Sequence, residues 1–348
     1  MSRTQEHRAL AVSTPLGPDA LLLRSMTGRE ELGRLFEYTL DLVSESADID
    51  FSKLVGDKMT VRLTRPDGEI RYFNGYVSRF VQVGFHGAMT EFEATLVPWF
   101  WLLTRNSDCR IFQKKTVPDI VKEIFGDRGF SDFEESLTGE YREWEYCVQY
   151  RETDFSFISR LLEQEGIYYY FKHEDEKHTL ILSDAYTSHE PIAGYEEIPY
   201  YPPDETAIRE RDHINHWTMC QQIQPGTFAH NDFDFEAPKK NLQTKSIVTR
   251  EHAQSTYEVY DYPGEYIESG DGETYARIRI EEFHRGFETF QGTGDAQGLA
   301  VGGLFKLINL PREDQNREYL IVSANYQLNS DAFDTDGAAS PPVFNCVF

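Results

Sequence analysis

The segment Tyr146–Phe171, YCVQYRETDFSFISRLLEQEGIYYYF, limits what this chain can fold into more than any other stretch. It reads as strand, capped helix, glycine stop and second strand, with almost no slack between them. Val148 and Tyr150 alternate with polar neighbours. Thr153 and Asp154 offer side-chain oxygens to the unpaired N–H groups of a helix start. Phe155, Ile158, Leu161 and Leu162 recur at helical spacing and make one face apolar. Gly166 suits the left-handed conformation that ends a helix. Ile167–Phe171 is β-branched and aromatic, which suits a strand. Within it Tyr168 and Tyr170 share one face, and Tyr169 and Phe171 the other. That pattern fits a strand buried on both sides, in a core or between subunits. Arg151, Glu152, Asp154 and Arg160 gather at the helix start, where acidic groups complement the helix dipole. None of these residues is an obvious nucleophile or metal cluster, so the segment reads as architecture.

Around it the chain divides by periodicity. In the first hundred residues, Leu21–Arg24, Phe36–Val43, Met59–Thr64, Arg71–Val83 and Thr90–Val97 read as strands. Gly28, Asp67-Gly68 and Gly84–Gly87 are the turn signals between them, and Asp67-Gly68 is a good hairpin turn. Val117, Ile120, Val121, Ile124 and Phe125 predict a helix capped by Thr116, with Pro118 in its first turn and Gly126 as its stop. The stretch AGYEEIPYYPP, residues 193–203, reads as a connector. Beyond it, strands are expected at Ile208–Gln224, Thr227–Asp234, Ser246–His252, Phe305–Leu310 and Tyr319–Leu328. A charged helix is expected at Gly272–Arg285 and a long loop at Gly286–Gly303. Val61–Phe80 and Phe305–Tyr326 share a faint order: strand, proline, polar turn, arginine with an aromatic, then a Val-Ser strand.

A length of 348 residues suggests two or three domains. The formal charge of −25 argues against a nucleic-acid partner, because phosphate binding rests on Lys and Arg; its ordinary role is solubility. Cys109, Cys147, Cys220 and Cys346 are isolated in sequence and fit a reducing compartment. The N-terminal MSRTQEHRALAV lacks the apolar core of a signal peptide. The densest apolar run, VPWFWLL from Val97, is too short to cross a bilayer.

The candidates for chemistry are sparse. His213 and His216 form an HxxH unit near Cys220, but a strand points them to opposite faces and no carboxylate completes a metal set. Gly292 and Gly294 followed by Gly298 resemble a dinucleotide loop whose third glycine falls one residue late; a flexible loop is the better reading. Asp334, Asp336 and Gly337 suggest part of a calcium loop, but Ala332 occupies the first ligand place and the closing Glu is missing, so a polar tail is expected. No GxSxG, HExxH or P-loop motif occurs. No catalytic residue, metal ligand or cofactor is therefore assigned.

The Tyr146–Phe171 pattern, followed by His173 and then LILSDA (Leu180–Ala185), resembles the VgrG spike proteins of bacterial type VI secretion. GRLFEYTLDLVSES from Gly33, RIFQKKTVPDIVKEIF from Arg110, YEVYDYPGEY from Tyr257 and GLFKLINLPREDQNREYLIVSANYQL from Gly303 agree with it, so the resemblance runs from about residue 20 to about residue 330. It implies a hub like that of a contractile phage tail. Three chains would form a ring on a tube of stacked Hcp hexamers, assembled in the cytoplasm and then delivered without a signal peptide. Family members continue into an oligonucleotide-binding-like domain and a trimeric β-helix needle, which would meet the tip PAAR protein and effectors. By that resemblance the residues up to Phe348 are expected to be the hub portion.

The expected fold is mainly β, with two antiparallel barrel-like domains of the phage-tail-hub type and an α/β section between them. The first barrel would span residues 1–104, the α/β section 105–203 and the second barrel 204–330, with 331–348 starting a linker. Two such barrels in each of three chains would give six wall elements facing a hexameric tube. The function expected is structural and non-enzymatic. The alternatives are a phage or phage-like tail hub, and a β-rich carbohydrate-binding or carbohydrate-cleaving module.

Overall fold

The computed structural model describes residues 3–203, 211–330 and 343–348. The alternating apolar residues of the first hundred positions become six strands: β1 (Leu10–Ser13), β2 (Leu22–Glu31), β3 (Glu37–Ser44), β4 (Lys58–Thr64), β5 (Ile70–His86) and β6 (Met89–Val97). In β3, Tyr38, Leu40 and Leu42 are buried on one face while Glu37 is exposed. Asp67-Gly68 turns β4 into β5 as expected, with Gly68 at φ +88 and its N–H donating to the Arg65 carbonyl at 3.0 Å. Gly28 does not turn the chain. It lies inside β2, where a Cβ would sit 2.6 Å from the Tyr38 ring, so the missing side chain makes room for an aromatic. Gly84 likewise lies within β5, and Gly87 makes the turn.

The middle section contains β7 (Asp108–Phe112), α1 (Val117–Asp127), β8 (Phe133–Ser136), β9 (Cys147–Glu152), α2 (Asp154–Glu165), β10 (Tyr168–Glu174) and β11 (Lys177–Ser183). Thr116 and Thr153 cap the two helices as expected; the Thr153 hydroxyl accepts from Ser156 N–H at 3.0 Å. Gly166 is left-handed at φ +72 and ends α2. Gly126 does not stop α1; the left-handed residue is Gly129, at φ +78. Phe157, which the periodic pattern omitted, joins Ile158, Leu161 and Leu162 in the core, and Phe155 is only partly covered.

The remainder forms β12 (Glu197–Pro199), β13 (Ile214–Gln221), β14 (Thr227–His230), β15 (Thr244–Ile247), β16 (Glu258–Asp261), α3 (Ser269–His284), β17 (Glu288–Gly294), β18 (Leu304–Ile308), β19 (Glu318–Leu320), β20 (Ser323–Asn329) and β21 (Val343–Val347). Three expectations change here. The connector 193–203 carries β12, which pairs parallel with β18. The first half of the expected loop 286–303 is β17, paired with β13. The single strand expected at Tyr319–Leu328 breaks at Ile321-Val322, and its halves join different sheets.

One antiparallel sheet of ten strands dominates, in the order β1-β4-β5-β6-β3-β2-β20-β21-β17-β13. Strands from the first and last parts of the chain thus share one sheet through the β2–β20 ladder, Ser25 to Glu31 against Ser323 to Asn329. Among the described residues no closed barrel is found. The echo segments each make an antiparallel hairpin, but β4–β5 lies in the large sheet and β18–β19 in a smaller one with β12. Near the β1 edge, a side chain does what a ladder does elsewhere. The buried Gln5 amide donates to the carbonyls of Val12 (2.8 Å) and Leu21 (3.2 Å) and accepts from the Val12 N–H (3.0 Å), joining β1 to the start of β2. Gln5→Leu is expected to lower stability by about 1–3 kcal/mol, because it strands buried peptide groups. An unchanged urea midpoint would show that the bridge contributes nothing.

The smaller β15-β14-β16 sheet packs on α3 around Phe228, Ala276 and Ile280. This unit meets α2 where buried Glu165 accepts from Trp144 Nε1 (3.3 Å) and Tyr275 Oη (3.0 Å). The main core is continuous from the large sheet into α1, α2 and the β10–β11 hairpin.

Candidate functional site: two buried polar centres

The positions that suggested chemistry in sequence are dispersed in space. His213 precedes β13; its N–H donates to Asp295 Oδ1 at 2.7 Å and its Nδ1 lies 3.2 Å from the same oxygen. His216 and Cys220 are exposed along β13, opposite Thr293 and Thr289. Among the described residues no group of three or more His, Cys, Asp or Glu is placed to hold a metal. Gly292 and Gly294 are in β17 rather than in a flexible loop. A Cβ at Gly292 would lie 2.4 Å from the Phe348 ring, one at Gly294 would lie 2.2 Å from the His213 carbonyl, and one at Gly298 would lie 2.2 Å from the Tyr195 ring. These glycines admit close packing. The Asp334–Gly337 stretch and Ala332 lie outside the described residues. Tyr169, Tyr170 and Phe171 are core residues, and Tyr168 donates to the Ala185 carbonyl and is bonded to His189.

The first polar centre is Asp154, at the start of α2. Its carboxylate is fully buried and takes four donors: Asn106 Nδ2, Arg110 Nη2, Arg128 Nε at 2.7 Å and Gln149 Nε2 at 2.8 Å. Burial alone would raise its pKa. The donors from Gln149, Arg128 and Asn106, with the Arg110 charge, outweigh burial and lower it. Asp154 therefore ties together β7, α1, β9 and α2, a larger role than the dipole partner expected. Glu152 pairs instead with Arg160, at 2.9 Å.

The second centre lies where the β10–β11 hairpin meets the large sheet. Glu30 on β2 accepts from Tyr38 on β3 and from Tyr326 on β20. The Arg71 guanidinium stacks over Phe73 (4.5 Å) and Tyr326 (4.7 Å) and donates to the Gln297 carbonyl at 2.7 Å. Burial pushes the Glu30 pKa up, and the Arg71 charge and the two tyrosines oppose that shift. The Tyr38 hydroxyl also lies 3.0 Å from His173 Nε2. Asn74 on β5 then links His173 to His178, and His178 accepts from Trp99 N–H. Carboxyl, phenol and imidazole are aligned as in a proton relay, but each is enclosed by aromatic rings and bonded to its neighbours. The arrangement locks one layer onto another. Sequence reasoning missed it, because its members lie up to 296 residues apart; Tyr38, Arg71, His173 and Tyr326 stood in separate quoted stretches with nothing to join them.

The same fold occurs in solved phage and prophage tail proteins. The chain matches the phage tail baseplate hub family (GPD) over residues 29–332, and it belongs to that family. It is 52% identical to the type VI secretion system spike protein VgrG1a of Pseudomonas aeruginosa, over 97% of this chain and 52% of that protein. The chain spans about half the length of the curated relatives it matches. A type VI secretion component of E. coli, described as similar to T4 bacteriophage tail proteins, superposes with a TM-score of 0.67 at 20% identity, covering 97% of this chain and 75% of that one. A tail protein of Neisseria meningitidis gives 0.67 at 11% identity, with 97% and 94% covered. No described helix is long and apolar enough to cross a membrane.

Proposed function

We propose that this chain is the hub of a type VI secretion spike. Three copies form a ring that docks on the Hcp hexamer tube and carries a membrane-puncturing needle for effector delivery. The ring assembles in the cytoplasm, leaves by type VI secretion, and meets the PAAR tip and effectors through parts beyond this portion. In this reading residues 1–104 and 204–330 supply two wall elements per chain, and 105–203 braces them. The work is mechanical and needs rigidity and symmetry, not catalysis. The observation that carries the proposal is the 52% identity to a named spike protein over nearly the whole chain. The buried junction supports it, since a part loaded along its axis needs its layers locked together.

Deletion of this region in the source bacterium should abolish Hcp secretion. Unchanged secretion would overturn the reading. End-on electron-microscopy averages of the purified chain should show a three-fold ring with six lobes; compact single-chain particles would assign trimer formation to the needle. The likeness to tail proteins also fits a phage-like hub. Retained Hcp secretion together with loss of a tail particle would select that reading.

A further inference from the structure

His173 and His178 face each other across the β10–β11 hairpin as direct strand partners, with ring centroids 6.0 Å apart. Both reach Asn74. The Asn74 N–H donates to His173 Nδ1 at 3.1 Å, so the ring proton sits on Nε2, beside Tyr38. The Trp99 N–H donates to His178 Nε2 at 2.9 Å, so the proton sits on Nδ1 and is given to Asn74 Oδ1 at 2.8 Å. The two rings hold opposite tautomers, and each fixes one backbone N–H of the surrounding layers.

We propose that this histidine pair is a proton-operated latch. It holds the β10–β11 hairpin on the large sheet at neutral pH and releases it in acid, before the sheet itself unfolds. A second proton can land only on His173 Nδ1 or His178 Nε2. Each of these nitrogens already accepts a backbone N–H, so protonation turns a bond into a donor–donor contact. The groups facing the pair do not offset this. Glu30 on β2 lies 3.9 Å from His173 Nε2, the nitrogen already protonated, and it is engaged by Tyr38, Tyr326 and the Arg71 charge. Arg71 on β5 and Lys58 on β4 disfavour further positive charge. Tyr76 on β5 presents its ring to His178, and Asp132 is occupied at the rim by Lys177. Burial first, then Arg71, pushes His173 down to about 3; burial first, then its partner ring and Lys58, push His178 well below its usual range.

The sign follows from linkage. A released histidine titrates near 6.5, so the latch is fully engaged above that pH and weakens as pH falls toward about 3. With both rings taking a proton, the open fraction rises up to about 100-fold per pH unit.

Amide hydrogen exchange on the whole chain at pH 7.5 and 4.5, corrected for intrinsic rates, tests this. The expected result is loss of protection in Tyr168–Ser183 and at Trp99 in acid, while the β2–β3 ladder stays protected. A chain with His173→Asn and His178→Gln, whose amides do not titrate, should lose that difference, although buried His189 and His230 remain. Protection retained at pH 4.5, or lost together with the whole sheet, would overturn the proposal. If the double variant does not fold, ring-nitrogen NMR of the unaltered chain decides. Both rings must gain their second proton over the pH interval in which the hairpin opens. Rings that stay neutral through the opening would overturn it.

Discussion

Glu30→Ala is expected to cost about 2–5 kcal/mol of folding stability, because it leaves two buried phenol donors without their acceptor, at about 1–3 kcal/mol each. Glu30 is nearly inaccessible, and Tyr38 and Tyr326, which donate to it, are fully enclosed. Without the carboxylate, two phenols lose their acceptor and the Arg71 charge loses its nearby opposite charge. Glu30→Gln keeps the shape and an acceptor and should cost clearly less. Replacing both ends, Glu30→Gln with Arg71→Met, should recover much of the loss. Urea unfolding of the unaltered chain, Glu30→Gln, Arg71→Met and the double variant gives the coupling directly. A single-variant loss below about 1 kcal/mol would mean that water reaches the junction.

Asp154→Ala is the second large effect, expected near 3 kcal/mol. The carboxylate is buried, but Arg110 and Arg128 are 20% and 34% exposed, so solvent softens their loss and holds the cost at the lower end of the buried-pair range. The damage would be local to β7, α1, β9 and α2. The lowered Asp154 pKa also sets a pH signature. Its contribution is complete above the unfolded carboxyl pKa of about 3.9 and is lost as pH falls through the lower folded value. Asp154→Asn should therefore flatten the acid limb of the stability profile below about pH 4. An acid limb identical to the unaltered chain would show that Asp154 carries no such linkage.

Local chemistry made much of the fold legible. Thr116 and Thr153 capped their helices, Gly166 ended one, and Asp67-Gly68 turned a hairpin, because each acts on its own neighbours within a few residues. Glycines misled wherever their reason was distant. Gly28 makes room for Tyr38, Gly292 for Phe348 and Gly298 for Tyr195, and none of these partners can be read from the glycine's own surroundings. Short strands such as Leu10–Ser13 and Glu197–Pro199 escaped because pairing partners far along the chain, not local periodicity, make them strands. The junction was hidden for the same reason. Asp154 was visible at a helix start, yet its four donors come from Asn106, Arg110, Arg128 and Gln149, which only the folded chain assembles.

The β2–β20 ladder has a consequence during synthesis. β2 ends at Glu31, and its partner begins at Ser323. At about 5–20 residues per second, a ribosome needs roughly 15–60 s to deliver that partner. Throughout that interval β2 is an open edge, a template for pairing with the wrong chain. Productive folding of this protein thus depends on something keeping nascent neighbours apart until the far end of the sequence arrives.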